Sequence, residues 1–244
     1  MEREVAAQLV NVSKSFGKQR ILENVELKLH RGENLVVLGR SGMGKSVLIK
    51  CIVRLVEPDS GRVEVFGENI LEQDDVRLNV TRRKIGFLFQ GGALYDSMTV
   101  RENLEFPLRR QRPHRSKEEM GSIVTEALQG VGLEHTLNKM PSQLSGGMRK
   151  RISLARTLVL KPDIMLYDEP TTGLDPGTSK EISELILKVQ EKYNTASIII
   201  THDPSCARIT ANRVAWLQQG RLSHYGSIDN AQSNAPDFLV NFFK

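Results

Sequence analysis

The chain has 244 residues, 39% hydrophobic and 26% charged, with a formal net charge of +5. That composition suits a globular protein with one large α/β domain or two small ones. It excludes a membrane-spanning helix, since no apolar run reaches the ~20 residues such a helix needs.

The N-terminal stretch MEREVAAQLV has no apolar signal core, so a cytosolic chain is expected. Cys51 and Cys206 read as a reduced, buried pair rather than a disulfide or metal site. Arg82-Arg83-Lys84, Arg109-Arg110 and Arg149-Lys150-Arg151 are the densest basic runs. No aromatics interleave with them as a base-stacking platform requires, so solvated faces are preferred to a nucleic-acid footprint.

Residues 5–30 alternate loosely and predict two antiparallel strands around Gly17-Lys18. Phe16, just before that turn, is either a core ring or a ring held against a base. Leu35-Val36-Val37-Leu38 reads as a buried strand. Gly39, Arg40, Ser41, Gly42, Met43, Gly44, Lys45 and Ser46 follow, and Val47, Leu48, Cys51 and Ile52 open a helical pattern. Strand, glycine-rich loop and helix in this order form a phosphate-binding P-loop. Glycines let the backbone approach an anion, and the helix N-terminus offers it unpaired N–H groups. Lys45 supplies a point charge for β- and γ-phosphates, and Ser46 a hard oxygen for Mg²⁺.

Residues 57–61 predict a turn, 62–67 a half-exposed strand, 72–84 a short helix, and 85–89 a strand followed directly by Gln90. Thr99 and Glu102 predict a capping box opening a helix. Residues 107–117, basic and Pro-containing, predict a surface loop, and residues 118–130 a helix. The middle third thus reads as a helical subdomain, about 91–160, inserted in the α/β core.

Leu144-Ser145-Gly146-Gly147-Met148 places Ser145 and two glycines at a helix N-terminus, with Met148, Ile152, Ala155 and Val159 on one face. Ile164-Met165-Leu166-Tyr167 predicts a buried strand delivering Asp168 and Glu169. A helix is expected from about 178 to 193. Residues 196–201 predict a strand ending at His202, with a short helix from Ser205, a strand over 213–218 and a short helical tail. Three strand ends therefore bring a P-loop, an Asp-Glu pair and a Thr-His to one sheet edge, where α/β proteins place their chemistry.

These motifs, in this order and spacing, resemble the nucleotide-binding domain of ABC transporters along essentially the whole chain. The resemblance implies a P-loop NTPase fold: a RecA-like core with a parallel sheet, an N-terminal antiparallel β subdomain and an inserted helical subdomain. It implies ATP and Mg²⁺ as ligands. Phe16 would stack on adenine, and Gly39 through Val47 would hold the phosphates. Ser46, Gln90 and Asp168 would serve the metal, Glu169 would orient and polarise the attacking water, and His202 would contact the γ-phosphate. Ser145, Gly146 and Gly147 would cap a nucleotide bound by a second copy, giving a head-to-tail homodimer with Asp175 at its interface. His30, His114, His135 and His224 match no motif and read as structural or solvated.

A narrower resemblance rests on Phe89-Gln90-Gly91-Gly92-Ala93-Leu94-Tyr95-Asp96, Met98-Thr99-Val100-Arg101-Glu102-Asn103, Phe106-Pro107-Leu108-Arg109, and Met148 where many importers carry Gln. These look like the ATPase of Mla-type, MCE-associated phospholipid transporters, with a related system in plastids. That implies a peripheral protein on the cytoplasmic face of the inner membrane, under an integral permease, with an MCE-domain lipid-binding protein in the assembly. Some members bind a small accessory subunit through a longer tail, and the short tail here counts against it; Phe238, Phe242 and Phe243 read as core packing. The alternatives are an ABC ATPase for another solute, imported or exported, and a soluble ABC protein acting on nucleic acid or the ribosome. The last usually needs two nucleotide domains or long coiled coils, which this sequence lacks.

Overall fold

Alternation at the N-terminus becomes a hairpin. In the computed structural model, which describes residues 4–111 and 115–228, β1 (Val5–Phe16) pairs antiparallel with β2 (Gln19–His30) across Gly17-Lys18. Leu9, Val12, Leu22, Val25, Leu27 and Leu29 point inward and are buried. β3 (Asn34–Leu38) is buried at every position, as expected for a strand covered on both faces, and leads through the glycine-rich loop into α1 (Lys45–Ile52). β4 (Ser60–Val65) and β5 (Glu68–Asn69) complete a four-stranded sheet of order β2-β1-β4-β5. α2 (Asp75–Arg83) is capped by Asp74, whose carboxylate accepts from the Arg77 N–H at 2.8 Å, and precedes β6 (Ile85–Leu88).

Three helices follow: α3 (Val100–Gln111), α4 (Lys117–Gly130) and α5 (Gly146–Leu158). They share an apolar cluster that includes Val100, Leu104, Leu108, Val124, Leu128, Ile152 and Ala155. The expected capping box is present: the Glu102 N–H donates to Thr99 Oγ1 at 3.2 Å and the Thr99 N–H to Glu102 Oε2 at 2.8 Å. β7 (Ile164–Asp168), α6 (Pro176–Tyr193), β8 (Ala196–Thr201), α7 (Pro204–Thr210), β9 (Arg213–Gln218) and β10 (Arg221–Gly226) close the described chain. The second sheet has the order β10-β9-β3-β8-β7-β6, parallel except for the β9–β10 hairpin. One apolar cluster joins its inner face to α1 and the antiparallel sheet; a second joins its outer face to α6 and α7. Cys51 and Cys206 are free and buried, with thiol pKa values pushed by burial to about 12 and about 11.

Three expectations change. The loop expected over 107–117 is helical to Gln111, and Pro107 lies inside α3. An interior proline forfeits a backbone hydrogen bond. Burial of Leu104 and Leu108 and the 2.6 Å Arg109–Glu105 ion pair one turn apart offset that loss. α6 begins at Pro176 rather than near 178, because Asp175 caps it, accepting from the Thr178 N–H at 3.0 Å, and proline suits the first helical position. The expected helical tail begins instead with β10: Gln219 at φ 50° and Gly220 at φ 78° turn β9 back on itself as a two-residue hairpin loop requires. Phe238, Phe242, Phe243 and His114 lie outside the described residues.

Candidate nucleotide-binding and hydrolysis site

The ends of β3, β7 and β8 lie side by side because β8 pairs with both of the others. That adjacency assembles the site. After Leu38 the chain enters the glycine loop. A Cβ on Gly39 would lie 2.6 Å from the Leu217 carbonyl oxygen, and one on Gly44, at φ 90°, would lie 2.5 Å from Ile21 Cγ2. Only glycine fits either place. Lys45 is buried, and its ammonium turns back into the loop, donating to the Gly39 carbonyl at 2.9 Å and the Arg40 carbonyl at 3.1 Å. Met43 closes the turn with an N–H to the Arg40 carbonyl at 3.4 Å.

Ser46 Oγ donates to Asp168 Oδ1 at 2.7 Å, linking the first turn of α1 to the end of β7. Two hard oxygens side by side, next to the glycine-rich loop, are a donor set that suits Mg²⁺. Glu169 follows at φ 50°, a conformation few non-glycine residues adopt, and its carboxylate is gathered in from three sides. Oε1 lies 3.4 Å from the Lys45 ammonium; Oε2 is 2.8 Å from His202 Nδ1 and accepts from Thr172 Oγ1 at 3.2 Å. His202 reaches in from the end of β8 with half of its side chain exposed.

These groups border a cavity of about 300 Å³ lined by Phe16, Ser41, Gly42, Gly44, Lys45, Ser46, Val47, Gln90, Glu169 and His202, together with Ile21. Phe16 is 52% exposed, which rules out the core reading of its ring. Ser145, Gly146, Gly147 and Asp175 do not line this cavity. Ser145 caps α5, accepting from the Met148 N–H at 3.2 Å, and is exposed beside Gly146; Asp175 is exposed at the start of α6. Gly147 packs these helix starts together: a Cβ there would lie 2.4 Å from Thr178 Cγ2.

Two site contributors escaped sequence reasoning. Thr172 carried no motif. Lys150 stood inside a basic run taken for a solvated face, yet it is buried, and its ammonium donates to the carbonyls of Gln90 and Glu169. Burial lowers its pKa from the ordinary lysine value, against the opposing pull of Asp168 and Glu169. The available signal was helical spacing: Gly147, Lys150 and Leu154 follow one inward stripe of α5.

The family model for ABC transporters matches residues 22–172. The chain is 40% identical over 226 residues to a probable ribonucleotide transport ATP-binding protein of Mycobacterium leprae, covering 93% of this chain and 65% of that protein. It thus spans slightly under two thirds of that curated relative's length. It is 35% identical to the chloroplastic protein TRIGALACTOSYLDIACYLGLYCEROL 3 of Arabidopsis thaliana, over 92% of this chain and 69% of that one. Among solved structures, a dimeric ATP-binding cassette in a post-hydrolysis state, bound to ADP and Pi, superposes with a TM-score of 0.82 at 35% identity, covering 90% of this chain and 98% of that one. With its P-loop, Asp-Glu strand end and two-sheet core, the chain belongs to the ABC transporter family.

Proposed function

We propose that this chain drives a transporter that moves phospholipid between membranes, with hydrolysis carried out by the residues around the 300 Å³ cavity. The observation that carries the hydrolytic part is the meeting of Lys45, Ser46–Asp168 and Glu169–His202 at three adjacent strand ends. Phe16 stacks on adenine, and the loop N–H groups from Gly39 to Val47 take the phosphates. Incoming phosphate oxygens replace the Gly39 and Arg40 carbonyls as partners of Lys45. Ser46 and Asp168, with Gln90, would hold Mg²⁺, which would supply positive charge against the phosphates. Glu169 orients the attacking water and accepts its proton, a role worth about 10²- to 10⁴-fold in rate. His202 holds the γ-phosphate. The transition state asks for position and charge, which this arrangement supplies.

Ser145, Gly146, Gly147 and Asp175 have no work in their own chain's cavity. They fit a second copy's nucleotide, so the working unit is a head-to-tail homodimer enclosing two ATP molecules. In this reading residues 1–244 form one ATPase domain whose helical subdomain, about 91–160, meets an integral permease. The assembly lies on the cytoplasmic face of the inner membrane; among the described residues no helix is long and apolar enough to cross it. The phospholipid cargo rests on the residue pattern of 89–109 with Met148, and a relative named for a galactolipid supports a lipid cargo in general. An MCE-domain protein is the further partner. A relative named for ribonucleotide transport favours a second reading, an ATPase subunit for the import or export of another solute.

The test is to purify tagged Glu169→Gln chain with ATP from solubilised membranes of its own source and identify the company by mass spectrometry. A permease with an MCE-type protein and phospholipid is expected. A permease with a solute-binding protein would overturn the lipid reading and leave the ATPase in place.

A further inference from the structure

Parallel pairing between β6 and β7 ends at Leu88 opposite Tyr167. Gln90 and Glu169 each stand two residues past that last rung, where no ladder bond joins the two chains. The Lys150 ammonium occupies the gap. It rises from the second turn of α5 and donates to the Gln90 carbonyl and, at 3.5 Å, to the Glu169 carbonyl. It is 7% exposed. A buried ammonium is costly unless polar groups meet it, so these two carbonyls and this cation hold one another in place. The same helix begins at Ser145, Gly146 and Gly147.

We propose that Lys150 is a positioning residue for hydrolysis: it fixes the backbone of Gln90 against that of Glu169 and ties both to the helix whose N-terminus faces a second copy's nucleotide. The proposal rests on the hydrolytic reading above. Through Gln90 it sets the amide at the metal position, and through Glu169 it sets the base, without touching ATP itself. Removing the ammonium should therefore impair turnover more than nucleotide binding, because the phosphate loop and Lys45 are built from β3 and α1.

The experiment compares Lys150→Met, Lys150→Gln and Lys150→Arg in the full chain. It reads steady-state phosphate release, ATP affinity by titration and amide hydrogen exchange. Lys150→Met is expected to lower kcat at least ~10-fold, as a displaced base would, with the ATP Kd within about threefold of the parent. Amide exchange should quicken in residues 89–92 and 169–172 but not in β8. Lys150→Arg, which keeps the charge, should retain most of the turnover. Turnover within about twofold of the parent in Lys150→Met would overturn the role. So would equal losses in the Met and Arg variants, or an ATP Kd that rises in step with the fall in kcat. Should Lys150→Met not fold, Lys150→Gln is held to the same outcomes. Glu169→Gln runs alongside: full turnover there overturns the hydrolytic reading, whereas lost turnover there with normal Lys150→Met overturns only the role of Lys150.

Discussion

Glu169 shows how much one residue's setting decides. Its backbone sits at φ 50°, and its carboxylate is shared among Lys45, His202 and Thr172. Replacing it with glutamine keeps the shape and removes the charge. We expect Glu169→Gln to bind ATP within about threefold of the parent while phosphate release falls ~10²- to 10⁴-fold, measured by nucleotide titration and a phosphate assay. Near-normal turnover would remove Glu169 from its role. Phe16 allows a sharper separation. Its exposed ring borders the cavity, so Phe16→Ala should weaken ATP binding roughly 5- to 150-fold, the range of one base–aromatic stack. Affinity for tripolyphosphate, which has no base, should not change; a parallel loss for both ligands would place Phe16 in the fold instead.

At the scale of elements, the helix starts carry the argument. α5 and α6 approach so closely at their N-termini that Gly147 has no room for a Cβ against Thr178 Cγ2. Gly147→Ala should cost about 1–3 kcal/mol of stability, the usual range for overpacking, measured by chemical denaturation. Adding Thr178→Ser, which removes the offending methyl, should recover most of it. If the double variant is no more stable than the single one, the contact is not the cause. Helix-start signals at Thr99 and Ser145 were legible because a cap involves only three or four consecutive residues. The course of α3 through Pro107 was not, since the burial of Leu104 and Leu108 that favours it comes from α4 and α5. β10 was missed because its partner strand, not its own weak alternation, makes it a strand.

For the whole molecule the consequence is association. Among the described residues Ser145, Gly146 and Asp175 lie outside the cavity of Lys45 and Glu169, on exposed surface. The Glu169→Gln chain with ATP and Mg²⁺ should therefore run at twice the monomer mass by size exclusion with light scattering. It should return to monomer when Mg²⁺ is chelated or when Ser145→Arg is introduced. A monomer in ATP at high protein concentration would argue against the sandwich.

By itself the sequence determined everything that local order can encode. Residues 39–46 form a glycine-rich loop between strand and helix because strand, glycines and helix follow one another directly, and residues 35–38, 164–167 and 196–200 are strands because apolar, β-rich runs of that length have no better place than a covered sheet. Only the tertiary structure decided which strands are neighbours. β3 beside β8, and β8 beside β7, bring Ser46 to Asp168 and Lys45 to Glu169 from distant parts of the chain. It also decided that Lys150 is buried while Arg149, its neighbour in an unbroken basic run, is exposed. The physical reason is the same in each case: pairing and burial are set by what packs opposite, and that partner is remote in sequence.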